Sequence, residues 1–197
     1  MIEQFATKAA HKIKNMNPEE TAPLDVLIFG FTILLNLVVT LSLILVTSLL
    51  LGKMLLAVQI TLAFMVLRIL TGGAHLDQSF ACSLNSVCLV IAFLWLPVSQ
   101  PFMLGYAALT LLFIISYAPY YEPHQMKHSA KWERKKKRVA LVFVVASVGL
   151  YYGLAFPGFL IGCFLQALLL TPVGISFTHR LNQLTTKGGE LHEEGNG

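Results

Sequence analysis

Between Asp25 and Glu122 the chain carries one carboxylate, Asp77, one histidine, His75, and two basic residues, Lys53 and Arg68. So long an uncharged run cannot be solvated surface, and it exceeds what the core of a small soluble domain can absorb. It divides instead into stretches long enough to cross a bilayer, which takes roughly 20 apolar residues of helix. Six such stretches are expected in the whole chain, at 25–51, 54–71, 80–97, 101–118, 138–156 and 158–178. Gly52-Lys53 separates the first two, Pro97 and Pro101 bracket a turn, and Phe156-Pro157-Gly158 divides the last two. Composition agrees: 56% of the 197 residues are hydrophobic and 12% charged, where soluble domains carry about 25% charged residues. The expected fold class is an all-α polytopic membrane protein of about six transmembrane helices, in one domain over 24–178.

The flanks are different. Residues 1–23 are too polar to be the apolar part of a cleaved signal. Within them Ile2, Phe5, Ala6, Ala9, Ile13 and Met16 recur at helical spacing with lysines opposite. That pattern predicts an amphipathic helix, lying on the inner leaflet or capping the bundle. With six spans and a cytoplasmic N-terminus, thirteen of the fourteen Lys and Arg residues fall inside and only Lys53 outside. The positive-inside rule therefore predicts cytoplasmic termini and a cytoplasmic 66–82 segment. Loop 119–138 is basic and suits anionic lipid headgroups or a docking substrate. His124 and His128 are spaced like zinc ligands on a helix but lack a third partner. No metal, cofactor or nucleic-acid partner is expected. The tail, 179–197, is expected to be solvated, with TTKGGELHEEGNG at 185–197 disordered. Cys82, Cys88 and Cys163 suggest no disulfide framework, and the last two read as small buried hydrophobes. Small residues in the spans leave room for close helix contacts, a homodimer included.

Ionisable groups near a membrane interior are costly and are retained for function. The segment VLRILTGGAHLDQSFACSLNSVC, 66–88, holds three of the four such groups in the long run. A thiol attacks as thiolate, and an imidazole can take its proton and return it to a leaving amine. On one unbroken helix, His75 and Cys82 would be about 10 Å apart in rise. They can cooperate only if the backbone breaks between them. Gly72-Gly73 supplies the break, and Ser79 is the expected N-cap of the next helix, which puts Cys82 at the third helical position, where free amides favour an anion. Asp77 can orient His75 or cap a turn. Gln78 can donate to an oxyanion. Arg68 can bind a substrate carboxylate or snorkel to headgroups. Read on residues alone, a solvated loop with an incidental histidine remains open beside the Cys–His reading.

Arg68, then Gly72-Gly73 and His75, then Cys82 opening the next apolar run, resembles the AgrB family. So do the amphipathic start, the order of the apolar segments, Tyr117-Ala118-Pro119 and the basic loop, although YYEPHQMKH after Pro119 departs from the family's acidic-polar run followed by Lys-Pro. The resemblance implies a membrane cysteine endopeptidase that processes an AgrD-like pro-peptide in bacterial quorum sensing. Cys82 would be the nucleophile and His75 the general base and acid, with Arg68, Gly72, Gly73, Asp77, Gln78 and Ser79 in support. It implies a thioester on Cys82, resolved by a substrate thiol or hydroxyl into a thiolactone or lactone. The competing expectation is a small transporter or substrate-binding subunit without covalent chemistry. Such a protein would spread polar residues over several helices at mid-membrane.

Overall fold

In hydrocarbon a backbone must satisfy its own polar groups, so the apolar runs fold as helices. The computed structural model describes residues 2–74, 76, 78–122 and 129–194, without the side chains at 2, 79 and 186–194. Among the described residues it is all-helical: α1 Ile2–Met16, α2 Leu24–Leu50, α3 Met54–Thr71, α4 Ser79–Phe93, α5 Gln100–Tyr117, α6 Ala130–Leu154, α7 Pro157–Leu169 and α8 Pro172–Glu194. Four of these, α2, α3, α5 and α6, are long and apolar enough to cross a membrane. The chain is a multi-pass membrane protein.

The other two expected spans come out differently. The run at 80–97 gives a short helix, α4, which ends at Phe93. The run at 158–178 breaks before Pro172, which cannot continue a helix, and α7 and α8 meet at 72°, as a broken span or a re-entrant loop does. The tail that was expected to be disordered carries α8 on to Glu194. The helix of the sixth stretch's predecessor, α6, begins at Ala130, so the basic run 131–138 is its first two turns rather than loop.

α7 is the pillar of the bundle, with Leu160, Ile161, Cys163, Leu165, Gln166 and Ala167 buried. It packs most closely on α3 because Gly158 and Gly162 present no side chains there. A Cβ at Gly162 would press on the Ile60 carbonyl, and one at Gly158 on Gln59. This is the small-xxx-small approach by which helices associate where the hydrophobic effect is absent. Gln59 also accepts the Gly158 amide at 3.0 Å. Cys163 is buried as expected, 3.6 Å from Ser147 Oγ, whereas Cys88 lies exposed on the outer face of α4 and not in the core.

α2 runs along the outside. α1 folds back against it through Ala6 and Ala10, both buried, while Phe5 and Met16 stay exposed at 66% and 77%. At the far end Lys53 lies 3.6 Å from the Trp95 ring centroid and donates to the Leu94 carbonyl at 2.9 Å. Arg68, the basic turns of α6 and the start of α8 lie at the opposite end of the bundle.

Candidate active site

The site is built where α3 stops. Gly72 and Gly73 have φ of 72° and 136°, a region that glycine enters without penalty. Space also demands glycine: a Cβ at Gly72 would strike the Tyr120 carbonyl, and one at Gly73 the Arg68 guanidinium. The chain beyond α5, after the cis Ala118–Pro119 peptide, forms an isolated parallel bridge with Gly72. In it the Tyr120 amide donates to the Thr71 carbonyl at 2.9 Å, and the Gly73 amide to the Tyr120 carbonyl at 3.2 Å. From α7, Gln166 spends both Nε2 protons on this junction, donating to Thr71 Oγ1 at 3.0 Å and the Gly72 carbonyl at 2.8 Å. Arg68 turns back from the last turn of α3 and donates to the Ala74 carbonyl. It does not snorkel away from the bundle, and it lies within electrostatic range of Cys82 and Glu122.

α4 then begins one residue earlier than expected. Its N-cap is Gln78, with extended φ and ψ, and Ser79 is already helical. Cys82 is therefore the fourth helical residue, and its own amide is spent on the Gln78 carbonyl at 3.0 Å. The amides without an acceptor inside this helix are those at its start, residues 79–81 among them. The Gln78 side chain donates to the Thr185 carbonyl of α8 at 3.4 Å, and the residue lines neither of the cavities at Cys82. The structure thus moves the expected cap from Ser79 to Gln78 and turns the Gln78 amide to α8.

Cys82 is half-buried and stands in the wall between two cavities. One, of about 620 Å³, is an apolar groove between α2, α3 and α4, walled by Phe29, Ile33 and Leu37 among others. The other, of about 190 Å³, contains Arg68, Ala74, Asn85 and Thr178. Phe64, Leu76 and Ser86 line both, as Cys82 does. The sequence requirement of a backbone break is met: α3 ends at Thr71, α4 begins at Ser79, and Ala74 and Leu76 between them are buried. His75 and Asp77 themselves lie outside the described residues, as do His124 and His128. Among the described residues no group of three His, Cys, Asp or Glu could hold a metal.

Sequence reasoning passed over Gln166, Tyr120, Asn36, Ser83 and Thr61. The first two pin the glycine junction. Ser83 Oγ is hydrogen-bonded to the Asn36 carboxamide and thereby sets the start of the second turn of α4 against the middle of α2, about 18 Å from its start. Asn36 was findable, being the single carboxamide in the run 25–51.

The family model described as accessory gene regulator B matches residues 4–171. A protein of Halalkalibacterium halodurans described as AgrB-like is 44% identical over 195 residues, covering 98% of this chain and 99% of its own. No solved structure matches. Matches of that extent, on a multi-pass helical chain, show that it belongs to the AgrB family and to the accessory gene regulator system of quorum sensing.

Proposed function

We propose that the protein is a cysteine endopeptidase that cleaves a short AgrD-like pro-peptide at the cytoplasmic face of the membrane. The observation that carries this reading is the position of Cys82, at a helix start and between an apolar groove and a cavity holding Arg68. Cys82 Sγ attacks the carbonyl at the end of the signal segment, His75 takes the thiol proton, and the C–N bond breaks as that proton passes to the departing amine. The amides of residues 79–81 lie where they can stabilise negative charge on sulfur or on the tetrahedral oxygen. The product is a thioester. A thiol or hydroxyl of the substrate then attacks the same carbonyl, releases Cys82 as thiol and closes a thiolactone or lactone.

Apolar walls suit this second step, because water would discharge the thioester irreversibly. Arg68 faces the departing side and favours an acidic tail there. Cytoplasmic termini and the basic start of α6 place enzyme and amphipathic substrate on one leaflet, which raises their effective concentration.

The test is cleavage of a cognate pro-peptide by membranes containing the full chain. Cys82→Ala and His75→Ala are expected to abolish it with membrane insertion intact, while Cys88→Ala and Cys163→Ala retain it. Full activity in Cys82→Ala membranes would end this reading.

A further inference from the structure

Asn85 shares the cavity of about 190 Å³ with Cys82 and Arg68. It stands on α4 three residues beyond Cys82, and residues at that spacing share a helix face, with Cβ atoms about 5–6 Å apart. A helical side chain also leans toward the N-terminus and covers the turn before its own Cα. The turn that Asn85 covers is the one that carries Cys82.

Most neutral donors around this cavity are already engaged. Ser86 Oγ donates to the Cys82 carbonyl at 2.8 Å, Thr178 Oγ1 donates to the Gly174 carbonyl at 3.1 Å, and a hydroxyl has one proton. The Cys82 amide is held by the Gln78 carbonyl at 3.0 Å. Arg68 donates to the Ala74 carbonyl and has N–H groups to spare, but its full charge suits a carboxylate. Asn85 is the exception. Its side chain is half-buried, and its carboxamide makes no hydrogen bond among the described residues. Neither its nitrogen nor its oxygen is closed off from a ligand. With no partner to fix it, the carboxamide can turn either of its ends, a double donor and an acceptor, toward the cavity.

When a thiolate adds to a carbonyl, the S–C bond forms as the π pair moves to oxygen, which becomes an alkoxide. We propose that Asn85 Nδ2 donates to that oxygen, as the side-chain member of an oxyanion hole beside Cys82. The proposal rests on the peptidase reading and supplies the side-chain donor that Gln78, turned to α8, does not. As the pair returns to carbon, the C–N bond breaks, the amine leaves with the proton carried by His75, and the acyl group stays on Cys82. A thiol or hydroxyl of the substrate then adds to the thioester, the same oxygen takes up charge again, and the S–C bond breaks. One donor therefore serves both steps. It also binds an alkoxide more strongly than a neutral carbonyl, and that difference is what lowers a barrier.

The full chain in nanodiscs would be assayed for pro-peptide cleavage and for alkylation of Cys82 by iodoacetamide. Alkylation displaces iodide and creates no alkoxide, so it reads the thiol without the donor. Asn85→Leu removes the carboxamide at similar volume, and Asn85→Ala serves as the second variant should leucine prevent folding. Either is expected to lower kcat about a hundredfold, with KM within a few-fold and Cys82 alkylated at the wild-type rate at every pH tested. A kcat close to wild type in a folded variant, with Cys82→Ala inactive, would overturn the donor assignment and leave the peptidase reading standing. So would a raised KM at unchanged kcat, which marks ground-state binding, or alkylation slowed as much as cleavage, which marks a role in placing the thiol or its base. Activity in Cys82→Ala would instead remove the reading beneath it.

Discussion

Two glycines and an arginine set the geometry of the turn that ends α3. Gly72 and Gly73 are needed twice over, for their positive φ and for the approach of Tyr120 and Arg68. Gly73→Ala is expected to push the guanidinium off the Ala74 carbonyl and to cost about 1–3 kcal/mol in strain. The checks are a lower thermal midpoint in detergent and pro-peptide cleavage at least tenfold slower. Arg68→Lys keeps the charge but loses the planar fork that reaches both Ala74 and the cavity at Cys82. It is expected to slow cleavage at least tenfold, and wild-type rates would show that a point charge is enough. At this scale the sequence displayed the paired glycine, the arginine and the cysteine, because each is anomalous in an apolar run. It could not display their partners. Gln166 and Tyr120 come from parts of the chain far from residue 72, and nothing local marks a glutamine in a buried helix as the clamp of a distant junction.

Among the elements, α7 and α4 decide the site. α7 carries Gln166, whose Nε2 holds both Thr71 and Gly72. Gln166→Leu leaves the Gly72 carbonyl without that donor, and a lost buried hydrogen bond costs about 1–3 kcal/mol. The expected outcome is reduced thermal stability together with a lower kcat for cleavage. Gly162→Leu would force α7 away from the Ile60 carbonyl and is expected to prevent accumulation of folded protein, as read by monodisperse extraction from membranes. The helices were legible from hydrophobic run length, which worked best for α2, α3 and α5. It failed where length and polarity disagree. α4 is too short to announce its end at Phe93, Pro172 bends the last span, and the basic start of α6 looks like a loop until its helical continuation is seen.

At the scale of the molecule, Lys53 and Trp95 mark one end, and the glycine junction with the basic turns of α6 marks the other. If that second end is cytoplasmic, as the positive-inside rule predicts, cysteines placed at Ser129 and Val98 in an otherwise cysteine-free chain would differ. An impermeant maleimide added to intact cells should label position 98 and spare position 129. The reverse pattern would invert the protein. Membrane class and helix order were open to the sequence because the bilayer imposes one length and one polarity on every span. The groove was not, since its walls come from three helices and its polar groups, Asn36 and Thr61, look incidental one at a time. The central claim is that Cys82 carries the substrate acyl group. Wild-type protein would be incubated with pro-peptide, acid-quenched, digested and analysed by mass spectrometry. A substrate-derived acyl adduct on the Cys82 peptide, lost on treatment with hydroxylamine and absent from Cys82→Ala, is the expected result; cleavage that proceeds with no adduct there, or with one on Cys88, would contradict it.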